Sequence, residues 1–410
     1  MKLMQEQSRY VVGIDVGTKT VRCVVGHIGE SGLPNIVGVG VSENSGMRKG
    51  AVSNLTGPAA AIDKALEAAE RMSGHHINAA ALSVNGSHIL STKADGMIAV
   101  GMSGGEVTDE DVLRIEEVAT TGKVPANREI LEIVPHAYRL DGQDNIKDPV
   151  GMSGTRLELR ANVVSGLTPY VANLRRSAEM ANVTASSLTP SVLAAARAVL
   201  SESQIENGVA VIDIGGSTTG VAVFEEGDLQ HVAVIPMGAQ NVTNDVAIGL
   251  KTDPEIAEAV KLAHARLGGG KVGRVDTKYD KQVYTFEQSE IDEIVEARYE
   301  EIFELVAKEL KRAGGIGRLP SGVVLVGGGA KVKDLVEFAK NSLGVAAKLG
   351  VPAGYAGVSD EANGPEFAAA IGLMLIDGAG AERAEHAQSK VGSVTKKAGG
   401  MISRLLARFK

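Results

Sequence analysis

Gly208–Gly220 reads GVAVIDIGGSTTG, an apolar run followed by an aspartate, two glycines and three consecutive hydroxyl residues. Five of the seven residues from Val209 to Gly215 are Val, Ala or Ile, which predicts a strand buried on both faces. Beyond it, Gly215 and Gly216 remove the side chains that would hold the backbone away from a bound group. Exposed amides and the hydroxyls of Ser217, Thr218 and Thr219 can then surround an anion such as a phosphate. Asp213, at the strand end, suits a phosphate-bound Mg²⁺, held directly or through water.

A glycine turn after a strand also fits a plain hairpin. The chain, however, repeats it. Val11–Thr20, VVGIDVGTKT, runs through an apolar strand, Asp15, Gly17, Thr18, Lys19 and Thr20 in the same order. The two aspartates lie roughly one domain length apart. A third turn, Val323–Ala330 (VVLVGGGA), offers Gly327, Gly328, Gly329 and Ala330 without an aspartate, which suits a base or ribose better than a metal. Two phosphate turns from two halves of a chain suggest a nucleotide clamped between duplicated domains. A P-loop is absent, because the glycines before Lys19 lack the required spacing.

These turns resemble those of the actin, sugar-kinase and heat-shock-70 ATPase superfamily. Within it the chain resembles the FtsA family of bacterial cell-division actin homologues, on three further stretches: Asn35 to Leu55 (NIVGVG with GMRKGAVSNL), Asn145 to Leu157 (NIKDPVGMSGTRL) and the basic amphipathic end, Gly399 to Lys410. The resemblance spans essentially the whole chain. It implies an α/β, actin-like fold: duplicated ATPase-type domains with ATP and Mg in the interdomain cleft, a small inserted α+β subdomain and a C-terminal amphipathic helix.

Composition sets outer bounds. At 410 residues and 44% apolar content the chain has enough material for two or more domains. Net charge is −8, yet the last fifteen residues hold five cations and no acid. An acidic body makes nucleic acid an unsuitable partner, whereas the tail suits an anionic membrane. The single cysteine, Cys23, excludes an internal disulfide and fits a reducing cytoplasm. No stretch has the length of a signal peptide core or a membrane span, so the expectation is a protein neither exported nor membrane-spanning.

In chain order, strands are expected at 10–16, 21–27 and 36–41, then a helix over 55–72 closed by Gly74. Residues 86–161 read as an inserted module, with Thr108 and Asp111 as a capping box. Thr168 with Pro169 and then Pro190 each open a helix. Gly238 leads into the next helix and joins the nucleotide group. On the helix expected over 254–267, Glu258 and Lys261 share a face, and resemblance to heat-shock-70 sets them against the adenosine. Ser289 is expected to cap a helix ending at Arg312, and another helix is expected over 332–341. The expected division is 1–85 with 162–205 as the first core, 86–161 as the insert, and 206–235 with 313–377 as the second core. A small lobe follows over 236–312, a flexible linker over 378–398 and the tail helix over 399–410.

The tail GGMISRLLARFK lines Met401, Ile402, Leu405, Leu406 and Phe409 on one helical face, flanked by Arg404 and Arg408, a pattern suited to the surface of an anionic bilayer. The family resemblance implies polymerisation with copies of itself, docking of the C-terminal peptide of FtsZ near Arg298, and contacts with other division proteins. Heat-shock-70 chaperones carry an acid where this chain has Thr189, whose hydroxyl can position a water but is a poor base. The expected activity is ATP binding with at most slow hydrolysis, on the cytoplasmic side of the membrane at the division site. Alternatives are the actin-like scaffold of type IV pilus assembly, a small-molecule kinase of the same superfamily, and a chaperone ATPase.

Overall fold

A computed structural model describes residues 9–29, 32–100, 105–270, 273–357 and 362–390, without side chains for 381–390. The chain opens with β1 (Arg9–Val16), β2 (Thr20–Ile28), β3 (Pro34–Glu43), the ribbon β4 (Met47–Arg48) and β5 (Ala51–Val52), α1 (Thr56–Ser73) and β6 (Ala79–Val84). An excursion follows through β7 (Leu90–Ala99), α2 (Asp109–Thr120), β8 (Arg128–Leu140), β9 (Gln143–Ile146) and β10 (Arg156–Leu167). The chain then returns with α3 (Thr168–Met180), β11 (Thr184–Pro190) and α4 (Ser191–Val199).

The second half holds α5 (Glu202–Asn207), β12 (Val209–Ile214), β13 (Thr219–Glu225), β14 (Asp228–Ile235), α6 (Ala239–Gly249) and α7 (Pro254–His264). The hairpin β15 (Arg274–Tyr279) and β16 (Gln282–Glu287) precedes the long α8 (Gln288–Arg312), then β17 (Val323–Val326), α9 (Leu335–Leu343), β18 (Ala347–Leu349) and α10 (Ala368–Lys390).

The halves repeat one topology. The first sheet has the order β11-β6-β1-β2-β3 and the second β14-β13-β12-β17-β18. In each, an antiparallel meander of three strands gains two parallel strands on the free side of its first strand. Parallel pairing requires crossover connections, and α1 supplies that between β1 and β6. Buried Val, Ile and Ala of the central strands pack against α1, α3 and α4 in the first half and α6 to α9 in the second. Helix α10 returns to the first half, crossing α4 at Gly372, where a methyl would collide with the Ala194 carbonyl.

Local signals act as the sequence predicts. Gly74 closes α1 in the left-handed conformation, donating to Glu70 O, and Thr108 and Asp111 form the capping box of α2. The sheet β7-β10-β8-β9 has its own core and is bolted to the second half: Lys147 Nζ donates to Asp228 Oδ1 at 2.7 Å.

Four expectations are corrected. Helix α8 begins at Gln288 with Glu287 at its N-cap, because Gln288 donates to His264 O and Asp292; Ser289 is inside the helix. The helix expected over 332–341 is α9, which starts three residues later at Leu335, after a 3₁₀ turn over Gly328–Lys331 and an N-cap Asp334 at φ +64°. Helix α7 stops at His264. Helix α10 runs through the first part of the expected linker to Lys390. No helix among the described residues is long and apolar enough to cross a membrane.

Candidate functional site

Two turns of one construction face each other. In the first, between β1 and β2, Gly17 N donates to Thr20 O at 3.1 Å; in the second, Gly215 N donates to Thr218 O at 2.8 Å. Each bond runs from two to five residues beyond its aspartate, so Asp15 and Asp213 occupy equivalent positions. The turns also touch, with Thr18 Oγ1 and Ser217 Oγ 2.7 Å apart.

Between them opens a cleft of about 500 Å³, lined by Asp15, Gly17, Thr18, Lys19, Thr20, Asp213, Gly215, Gly216 and Thr218. Glu258, Lys261, Gly327, Gly328 and Gly329 complete the expected members of the lining. Gly238 stands behind the second turn: the following amides, Ala239 N and Gln240 N, donate to the Gly215 and Gly216 carbonyls. A methyl at Gly238 would lie 2.5 Å from Gly215 O, so glycine lets α6 approach. Ser217 is outside the lining but meets Thr18 within it, and Ala330 is buried in the 3₁₀ turn, also outside the lining.

The electrostatics centre on the two carboxylates. Burial, then the Asp15 charge, push Asp213 up to about 7, with Arg22 acting the other way. Asp15 is also raised, by burial against the opposing pull of Arg22 and a Ser83 hydrogen bond. Two carboxyls forced toward the neutral form are relieved by a divalent cation. Among the described residues no group of three or more His, Cys, Asp or Glu is placed to hold a metal alone. That fits Mg²⁺, which keeps waters and takes one or two carboxylates plus phosphate oxygens.

The far wall is built from α6 and α7. Lys261 Nζ donates to Glu258 Oε2 at 2.7 Å and to Thr243 Oγ1 at 2.8 Å, and Thr243 donates to Glu258. The Lys261 side chain is only 14% exposed, so this is not a solvated surface pair. Burial would raise Glu258, but bonds from Lys261 and Thr243 outweigh it and hold the carboxyl below its ordinary value. Leu262, Ala265 and Val332 add apolar surface beside the glycines, suited to a flat base.

Two expected residues lie elsewhere. Thr189, near the end of β11, is buried together with the adjacent Pro190 and lies outside the lining; Ser191 lines the cleft instead. Arg298 sits on α8 in a separate open groove of about 350 Å³ between α6 and α8. It grips Asp245 with two bonds of 2.5 and 3.0 Å and also binds Glu301. The tail residues Met401, Ile402, Arg404, Leu405, Leu406, Arg408 and Phe409 lie outside the described residues.

Sequence reasoning missed Arg22, Asn85, Lys331 and Glu366, all in the lining. Arg22 was readable, since the turn bond from Gly17 to Thr20 pairs residue 22 with Asp15 across the hairpin. Lys331 and Glu366, joined at 2.6 Å, carry no local signal, because 35 residues separate them.

Comparison with known proteins gives the family. A model described as "Cell division protein FtsA" matches residues 210–372, and one described as "SHS2 domain inserted in FTSA" matches residues 86–165. Proteins named "Cell division protein FtsA" are similar along most of their length. That of Pseudomonas aeruginosa is 33% identical over 90% of this chain and 89% of its own. For Bacillus subtilis the identity is 37%, over 88% and 82%; for Escherichia coli it is 32%, over 97% and 96%.

Solved structures agree in fold. A structure titled "PilM-PilN type IV pilus biogenesis complex" matches at TM-score 0.64 and 16% identity, over 90% of this chain and 98% of that one. MreB5 of Spiroplasma citri bound to ADP matches at 0.53 and 12%, over 94% and 99%. Such low identities bear on the fold alone, which is that of the actin-like ATPases. With identities above 30% to relatives covered nearly end to end, the chain belongs to the cell division protein FtsA family.

Proposed function

We propose that this chain binds ATP with Mg²⁺ between its two halves, polymerises, and ties FtsZ filaments to the cytoplasmic face of the membrane at the division site. One observation carries the nucleotide reading: Asp15 and Asp213, from matched turns of the two halves, line a single cleft. In that reading the two carboxylates hold the cation, directly or through water. The turn amides and the Thr18, Lys19 and Thr218 side chains take the phosphates, and Glu258 with Lys261 orients the adenosine. Bound Mg²⁺ would neutralise phosphate charge.

Hydrolysis is slow in this reading, because Thr189 is buried away from the cleft and in-line attack needs an oriented water. The nucleotide then sets subunit shape and polymer state. The groove around Arg298 is the proposed seat of the FtsZ C-terminal peptide, and residues 399–410 form the proposed lipid-binding helix. One such helix binds reversibly, whereas a row of linked subunits gains by effective concentration. Co-pelleting with FtsZ and anionic vesicles, with and without residues 399–410, tests the tether. Vesicle binding that survives the deletion overturns it, and steady-state turnover above about 1 s⁻¹ overturns the slow-hydrolysis reading.

A further inference from the structure

The strand directions of the first sheet separate two edges. Strands β1, β6 and β11 all run toward the cleft, so the opposite edge holds the turn before β3 and the ends of α1 and α3. Helix α10 leaves the body there: Asp377 accepts from Val12 N and Ser186, and Gly378 O accepts from Arg9. From that point twelve more helical residues reach Lys390, about 18 Å at 1.5 Å per residue, and eight others precede the amphipathic stretch.

This edge presents Leu33, Met72 and Met180, which are 48%, 52% and 46% exposed. They project from three different chain turns, beside exposed Arg71 and the imidazoles of His75 and His76. His75 is stacked on Tyr10 with ring centroids 3.8 Å apart. Two carboxylates near this edge are engaged. Glu70 pairs with His76 at 2.8 Å and accepts from Ile77 N, and Glu179 pairs with Arg176. Protruding apolar side chains beside an exposed arginine match the interface of an anionic bilayer.

We infer that this edge of the body rests on anionic lipid headgroups as a second membrane contact, with the cleft facing away from the bilayer. The inference rests on the proposed tail anchor, which supplies the proximity. Helix α10 joins this edge to the residues that carry the anchor.

The chain has no tryptophan, so Met72→Trp reports on this edge alone. In the full-length protein, vesicles containing phosphatidylglycerol are expected to shift its emission to shorter wavelength and to permit quenching by brominated lipid; Val283→Trp, on β16, stays unshifted. Arg71→Glu with Met72→Glu is expected to lower vesicle affinity five- to tenfold, and Lys281→Glu with Val283→Glu, of equal charge change, to leave it within twofold. Met72→Trp protein that pellets with vesicles through residues 399–410 while its indole emission is unchanged overturns the edge contact and leaves the anchor standing. The same variant losing no binding on deletion of 399–410, yet showing the emission shift, overturns the anchor alone.

Discussion

Thr18 Oγ1 and Ser217 Oγ lie 2.7 Å apart although 199 residues separate them. The hydroxyls join the tips of two turns built alike, so each half of the molecule is fixed against the other beside the cleft. A double-mutant cycle of Thr18→Val and Ser217→Ala is expected to give a coupling of about 0.5–1 kcal/mol in unfolding free energy. Additive effects would show that the turns do not meet in solution.

Asp15→Asn and Asp213→Asn keep shape and remove charge. Each is expected to cost at least tenfold in Mg-dependent ATP affinity, measured by calorimetry. Without nucleotide each variant unfolds at the same or a higher temperature, because burial no longer penalises a carboxylate. Unchanged MgATP affinity would remove both residues from the site.

Gly238→Ala places a methyl 2.5 Å from Gly215 O and 2.8 Å from Thr218 N. A loss of about 1–3 kcal/mol in stability with weaker ATP binding is expected, since α6 is displaced from the second turn. Thermal unfolding with and without nucleotide checks it.

His136 is pushed down to about 4 by burial and by the Lys93 and Lys147 cations, against an Asn162 hydrogen bond. As pH falls from about 6.5 toward 4 the unfolded chain takes up a proton that the folded chain refuses, so this histidine costs stability on acidification. Asp228, held up to about 6 mainly by burial, acts oppositely: the folded state takes its proton first. His136→Gln is therefore expected to gain on the parent protein as pH drops, by about 2 kcal/mol at pH 4.5. Parallel stability curves would contradict this.

Arg298→Glu replaces the cation that grips Asp245 with a like charge. Binding of an FtsZ C-terminal peptide, followed by fluorescence anisotropy, is expected to fall more than tenfold. ATP affinity is expected to stay within twofold, since the groove is separate from the cleft. Peptide affinity that survives this change would move the docking site elsewhere.

Local chemistry made much of the site readable. Asp-Gly-hydroxyl spacing revealed both turns of the cleft, and Gly74, Thr108 and Pro169 marked helix ends because their effects reach only a few residues. Thr189 came from a resemblance in sequence position, and its burial beside Pro190 at the end of β11 depends on packing that position alone does not carry. The third glycine turn was readable, but its continuation as a 3₁₀ turn depends on contacts such as Tyr299 Oη donating to Gly329 O at 2.7 Å. Glu258 and Lys261 were visible as an i,i+3 pair, and only Thr243 from α6 turns that pair into a buried network.

The sequence by itself determined that two equivalent turns exist, each with an aspartate at the end of a buried strand, because period and spacing are local properties. Tertiary structure alone decided that the turns touch, that Lys331 and Glu366 share their cleft, and that Arg298 does not. Those outcomes follow from how two sheets of the same topology pack through their cores, which is a sum over many distant contacts that no short stretch of chain contains.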